Sequence, residues 1–198
     1  MKKVIAIIAA TFAIASGAQA ASGGTLIFNT NPSQGASPPF VFDLAGTDTG
    51  DRLDSNFKGQ IYTSDTQNGT YTAQGSALQF GVFNGTVNSG ANGMILSSTV
   101  VTADNVGGGS SGWYQVRAWS GAFSSYENAI ASGNPASDLA GISDSVNVTF
   151  GGGNPAQPSP TVSGFTSFNL ALVPEPTTVA LGLLGLGGLV ASRRRKNA

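Results

Sequence analysis

Short apolar or alternating runs recur every 8 to 15 residues through the middle of this chain, each bounded by Gly, Asn, Ser, Thr or Pro. Runs of that length with a period of two, set between turn signals, are what half-buried strands require. Only 126–131 carries a helical pattern, and Gly133-Asn134-Pro135 stops it. The body is therefore expected to be all-β, an antiparallel β-sandwich, jelly-roll-like, of about nine strands with one short helix. The strands are expected at 25–29, 40–44, 60–64, 70–73, 77–83, 94–101, 113–119, 145–150 and 164–172. Asn68-Gly69 and Asn84-Gly85 are both type I′ hairpin signals, since only residues that tolerate positive φ fit both central positions of that turn. The glycine-rich stretches 107–112 and 151–160 read as flexible or extended loops, and not as phosphate cradles, because no helix with a lysine follows either.

The chain has no cysteine and no histidine. Disulfide staples, thiolate or Ser-His-Asp nucleophiles and ordinary zinc sites are thereby excluded. An enzyme built on this body would have to work with carboxylates, lysine or tyrosine, and we expect a non-enzymatic protein. Between residues 21 and 173 there are nine carboxylates against Arg52, Lys58 and Arg117, a net charge of −6. A nucleic-acid footprint needs a basic face, so none is expected. The near-neutral total of −1 arises because the other cations lie at the two ends.

Those ends are targeting segments. Lys2-Lys3, the apolar run 4–15 and Ala18-Gln19-Ala20 before Ala21 form a secretory signal peptide with a small-residue cleavage site, read by the secretion machinery and signal peptidase. At the other end, Val173-Pro174-Glu175-Pro176-Thr177 leads into an apolar stretch and then Arg193-Arg194-Arg195-Lys196. Residues 177–191 are fifteen without a charge, about 22 Å as a helix against a hydrocarbon core of about 30 Å. The four cations can snorkel into headgroups and hold the C-terminus in the cytoplasm, with the body outside. Gly182, Gly185, Gly187 and Gly188 keep the helix marginal, as suits a transient anchor. Pro174 and Pro176 hold Glu175 on an extended backbone, the form in which processing enzymes read a peptide. The chain thus divides into a signal helix at 1–20, a β-sandwich at 21–173, and a sorting segment at 174–198 with a transmembrane span at 177–192 and a basic tail at 193–198.

This tail resembles the PEP-CTERM sorting signal of Gram-negative bacteria: Val-Pro-Glu-Pro-Thr, a Gly/Leu-rich span and a terminal Arg/Lys cluster. The resemblance implies that Pro174, Glu175 and Pro176 are recognised by exosortase, a membrane-embedded transpeptidase-like enzyme. It implies an exported protein, transiently anchored and then delivered to the cell surface or extracellular matrix, with a structural or adhesive role in exopolysaccharide or biofilm. In the body, Gly112-Trp113-Tyr114-Gln115-Val116-Arg117-Ala118-Trp119 with Tyr126-Glu127, and Ser163-Gly164-Phe165-Thr166-Ser167-Phe168, are similar to a recurring uncharacterised group of secreted PEP-CTERM proteins, which supplies no activity.

Two constellations in the body could carry binding. Alternation along 113–119 places Trp113, Gln115, Arg117 and Trp119 on one face of a strand and Tyr114, Val116 and Ala118 on the other. Indoles with an amide and a guanidinium between them would suit a carbohydrate-binding module, and would equally suit internal packing with Arg117 stacked on the rings. Asp43, Asp48, Asp51 and Asp54 form an acidic loop of hard oxygen ligands such as calcium takes, without the EF-hand spacing; as turn-forming residues in a solvated loop they need no ion. No other cofactor is suggested. Glu127, the body's single glutamate, would be one member of the carboxylate pair that a glycosidase needs about 5 to 10 Å apart.

Overall fold

A computed structural model describes residues 23–31, 41–42, 52–132, 139–162 and 164–172. The signal peptide, the sorting segment and most of the acidic loop lie outside them. Twelve strands, one short α-helix and one turn of 3-10 helix (Ser89–Ala91) are described. The larger sheet has the order β12 (Ala171–Leu172), β9 (Leu139–Ile142), β8 (Ser111–Ser120), β3 (Phe57–Ser64) and β4 (Thr72–Gln79), with β10 (Val146–Thr149) pairing the first half of β8 beside β9. A second layer is built on β1 (Gly23–Ile27) paired with β7 (Val100–Gly107). Two small ladders complete the set: β5 (Val82–Phe83) with β6 (Thr86–Val87), and a two-residue parallel pair of β2 (Val41–Phe42) with β11 (Phe168–Asn169). All the other strand ladders are antiparallel.

The two layers enclose one core. Leu26 and Phe28 from β1 and just after it meet Val101 and Ala103 of β7, and across from them lie Ile61, Tyr114, Val116 and Ala118 of the larger sheet. Phe80, Ile95, Phe150 and Leu170 close it from the loops and are all essentially solvent-free. Burying each such side chain contributes about 1.5–3 kcal/mol. The expected alternation along β8 holds, with Tyr114, Val116 and Ala118 facing this core.

The strands depart from sequence expectation where bulges interrupt alternation. The ladder expected at 94–101 instead runs Val100–Gly107, and its inward residues are Val101, Ala103 and then Val106. A register break against β1, between Gly23/Gly107 and Gly24/Ala103, inserts the extra residues. One of them, Asn105, ties the layers together: its amide donates to the Thr63 carbonyl at 2.7 Å and its oxygen accepts from Gln74 at 3.2 Å. The two strands expected at 70–73 and 77–83 are largely one, β4, broken in pattern by Gly75 at φ +61 opposite the register shift in β3. Leu139–Ile142 was not expected as a strand, being short and interrupted by Gly141. The stretch 164–172 forms two short strands flanking the buried Leu170.

The two hairpin signals part company. Asn84 (φ 49) and Gly85 (φ 75) make the type I′ turn between β5 and β6, with Phe83 opposite Thr86. Asn68-Gly69 does not: Thr63 pairs with Thr72, leaving a longer loop, and neither residue has positive φ. The glycine-rich loops are packed against each other rather than loose. A Cβ on Gly153 would stand 2.5 Å from the Gly108 carbonyl oxygen, and its backbone is at φ +86. Gly153→Ala is therefore expected to cost about 1–3 kcal/mol in urea unfolding.

Candidate functional site

The outer face of the larger sheet carries the aromatic and charged residues that drew attention in the sequence. On β3 this face presents Lys58, Gln60 and Tyr62, which stand opposite Trp119, Arg117 and Gln115 of β8. After Ser120 the chain turns back, with the Gly121 amide donating to the Asn56 carbonyl at 2.6 Å, and helix α1 (Tyr126–Ser132) lies down on the sheet. Ser125 starts that helix: its hydroxyl accepts from the Asn128 amide at 3.2 Å and its carbonyl from Ala129 at 3.1 Å. Glu127 in the first turn also complements the positive end of the helix dipole.

Beneath α1 sits a second small core of Tyr62, Trp119, Tyr126, Ala129 and Ala140. Trp119 is 0 % exposed, its indole edge-on to Tyr126 at 6.5 Å and its Nε1 donating to the Phe123 carbonyl at 3.1 Å. The Arg117 guanidinium stacks over Tyr62 at 4.0 Å and faces Tyr126 at 5.2 Å, while Nη1 donates to Glu127 at 3.3 Å. The Tyr62 hydroxyl reaches both Glu127 oxygens at 2.9 Å. The arrangement is a clasp: a cation between two phenol rings, closed by a carboxylate on the helix it holds down. Because the Glu127 side chain is 54 % exposed, the ion pair itself contributes little; the stacking and the phenol hydrogen bond carry the contact.

A stacking platform that includes Trp119 is not what the fold presents. The helix covers Trp119, so that ring is closed to any ligand, and Arg117 is engaged by Tyr62 and Glu127. Trp113 is half-buried at the far end of the face, and Gln115 donates to the Ser145 hydroxyl at 2.9 Å. The sequence did hold a signal for this: Tyr126 and Ala129 are spaced as one apolar helix face, which needs a surface to cover. Of the acidic quartet, Asp43, Asp48 and Asp51 lie outside the described residues. Asp54 is described, and its two oxygens accept from the Asn56 backbone and side-chain amides, each at 2.9 Å, in a local turn. Among the described residues no three carboxylates gather as a metal site would require. Pro174, Glu175, Pro176, the basic cluster 193–196 and Ala18, Ala20 and Ala21 all lie outside the described residues. Among those described, no helix is long and apolar enough to cross a membrane.

The clasp has a signature in pH. Burial first, then the hydrogen bond and charge of Glu127, push the Tyr62 phenol well above its ordinary value near 10; burial also raises Tyr126. The fold thus favours the neutral phenols. Their contribution is complete below about pH 10, where tyrosines of the unfolded chain titrate, and is lost as pH rises through the folded values. Stability to urea is expected to decline above about pH 10, and Tyr62→Phe to flatten that decline. At neutral pH the same variant should cost about 1–2 kcal/mol through the lost bond to Glu127.

What the fold and its C-terminal end define is a small all-β domain whose last strand, β12, closes at Leu172, at the point where a processing tail begins. Residues 172–196 match the family model of the PEP-CTERM protein-sorting motif. The chain thus carries a PEP-CTERM sorting motif, which implies an exosortase substrate exported to the cell surface or extracellular space. Searches of curated proteins and of solved structures returned no match for it.

Proposed function

We propose that this protein is a non-enzymatic component of the extracellular matrix of a Gram-negative bacterium, held briefly at the inner membrane by its tail and then delivered to exopolysaccharide in a structural or adhesive role. The observation that carries the reading is the sorting motif following directly on a folded β domain that has neither histidine nor cysteine. The use of Glu127 in holding α1 favours the same view, since it occupies the carboxylate that a glycosidase would recruit. Calcium is not needed for the reading. Fractionation of host cultures tests it. The mature protein is expected in the exopolysaccharide layer of wild-type cells and in the inner membrane, with its tail intact, when the exosortase gene is absent. Recovery from the membrane in both strains would overturn the matrix role.

A further inference from the structure

A cleft of about 620 Å³ lies between the end of β4, the tip of the β5–β6 hairpin and the segment 95–99. Its lining contains no charged residue. Asparagines, Gln79 and hydroxyls alternate with Leu78, Val82 and Phe83. Phe83 is 50 % exposed at the mouth of this cleft, and the type I′ turn at Asn84-Gly85 fixes its position. The side chains of Asn84 and Ser98 make no hydrogen bond among the described residues, and Gln79 uses only its amide nitrogen, on the Ser55 carbonyl at 3.1 Å. A second cleft of about 450 Å³ shares Leu78 and Thr99 with the first and runs on beside β4 as far as Asp104. Together they make one groove along the edge of the larger sheet.

The chemistry of that groove selects its occupant. With no lysine or arginine in either cleft, an anionic chain would find no counter-charge. An apolar ligand would leave the amides and hydroxyls desolvated and unpaired. A chain of neutral sugars meets both demands, since amides donate to and accept from hydroxyls and an exposed aromatic ring stacks on the apolar face of a pyranose. The two clefts together follow β4 from Ala73 to Gln79, about 20 Å at roughly 3.3 Å per residue, which suits several residues of a linear chain rather than a compact metabolite.

We propose that the groove along β4, headed by Phe83 and Asn84, binds a linear neutral polysaccharide. It rests on the matrix reading for the source of the glycan, and on the groove alone for its chemistry. The test is affinity electrophoresis of the mature protein recovered from its host, through gels containing dextran, galactomannan or hydroxyethylcellulose, with alginate as the anionic control. Retardation is expected in at least one neutral gel and not in alginate. Phe83→Ala should weaken it about tenfold and Phe83→Trp restore it, while Trp113→Ala, outside the lining of either cleft, leaves it unchanged. Asn84→Gly keeps the turn, removes the amide and should weaken retardation about threefold, which separates loss of contact from loss of fold. Absence of retardation in every neutral gel, retardation in alginate alone, or full retardation of Phe83→Ala would overturn the proposal. So would protection of the β4 backbone amides from exchange by a matrix polypeptide without any glycan retardation, which would make the edge a site for an added peptide strand. Retardation by a protein absent from the exopolysaccharide layer would sink the matrix reading and leave the groove standing.

Discussion

Trp119→Ala is expected to remove about 3–5 kcal/mol from the unfolding free energy, the largest loss of any single change on the outer face. The indole is fully enclosed, and its removal leaves a cavity under α1, an unpaired carbonyl at Phe123 and a Tyr126 ring without its edge-on neighbour. Small domains hold about 5–15 kcal/mol in all, so the variant should unfold at much lower urea and lose α1 first, seen as early exchange of the Ala129 amide. A loss under about 1.5 kcal/mol would mean that the helix is not seated on this face. Trp113→Ala, half-buried on the same face, is expected to cost far less, and the contrast between the two tryptophans tests the arrangement rather than tryptophan content.

The second large effect lies in the tail. Replacing Pro174, Glu175 and Pro176 together by alanine is expected to abolish processing, so that the secreted fraction falls to near nothing and protein ending at Ala198 accumulates in the membrane. Two changes act at once: the carboxylate is lost, and alanines lift the backbone restriction that two prolines impose on the recognition segment. Intact-mass analysis of the C-terminus reads the result. A processed terminus in the triple variant would remove these residues from the recognition step. Changing Glu175 to Gln alone separates charge from backbone, because it leaves both prolines in place.

How far the sequence could be read depended on whether the deciding contact was local. The Asn84-Gly85 turn, the alternation on β8, the short helix beginning at Tyr126 and the sorting tail are each specified by adjacent residues, and each was legible. β7 was misplaced because its bulge at 104–106 breaks the period-two pattern that identifies a strand, and the reason for the bulge, the reach of Asn105 to β3 and β4, is a long-range contact. Trp119 was assigned to the correct face, yet whether that face met water or a helix depended on how the chain turned after Ser120. The groove along β4 went unseen for the same reason: Gln79, Phe83 and Ser98 are scattered in sequence and converge only when the sheet and the hairpin are assembled.

The end of the domain has a mechanical consequence. β12 is two residues at the rim of the sheet, joined among the described residues only to β9 through Ala171 and Leu172, and both are exposed. A pull on the chain beyond Leu172 loads these rungs in turn, as a zip opens, and not together. Just behind them Leu170 is sunk in the core at 0 % exposure and resists withdrawal. The domain therefore ends in a short compliant leader and then a plug. Peeling the leader frees about 7 Å of chain, at roughly 3.3 Å per residue. Chain leading into the sorting motif can thus be drawn away from the rim while the sandwich stays folded.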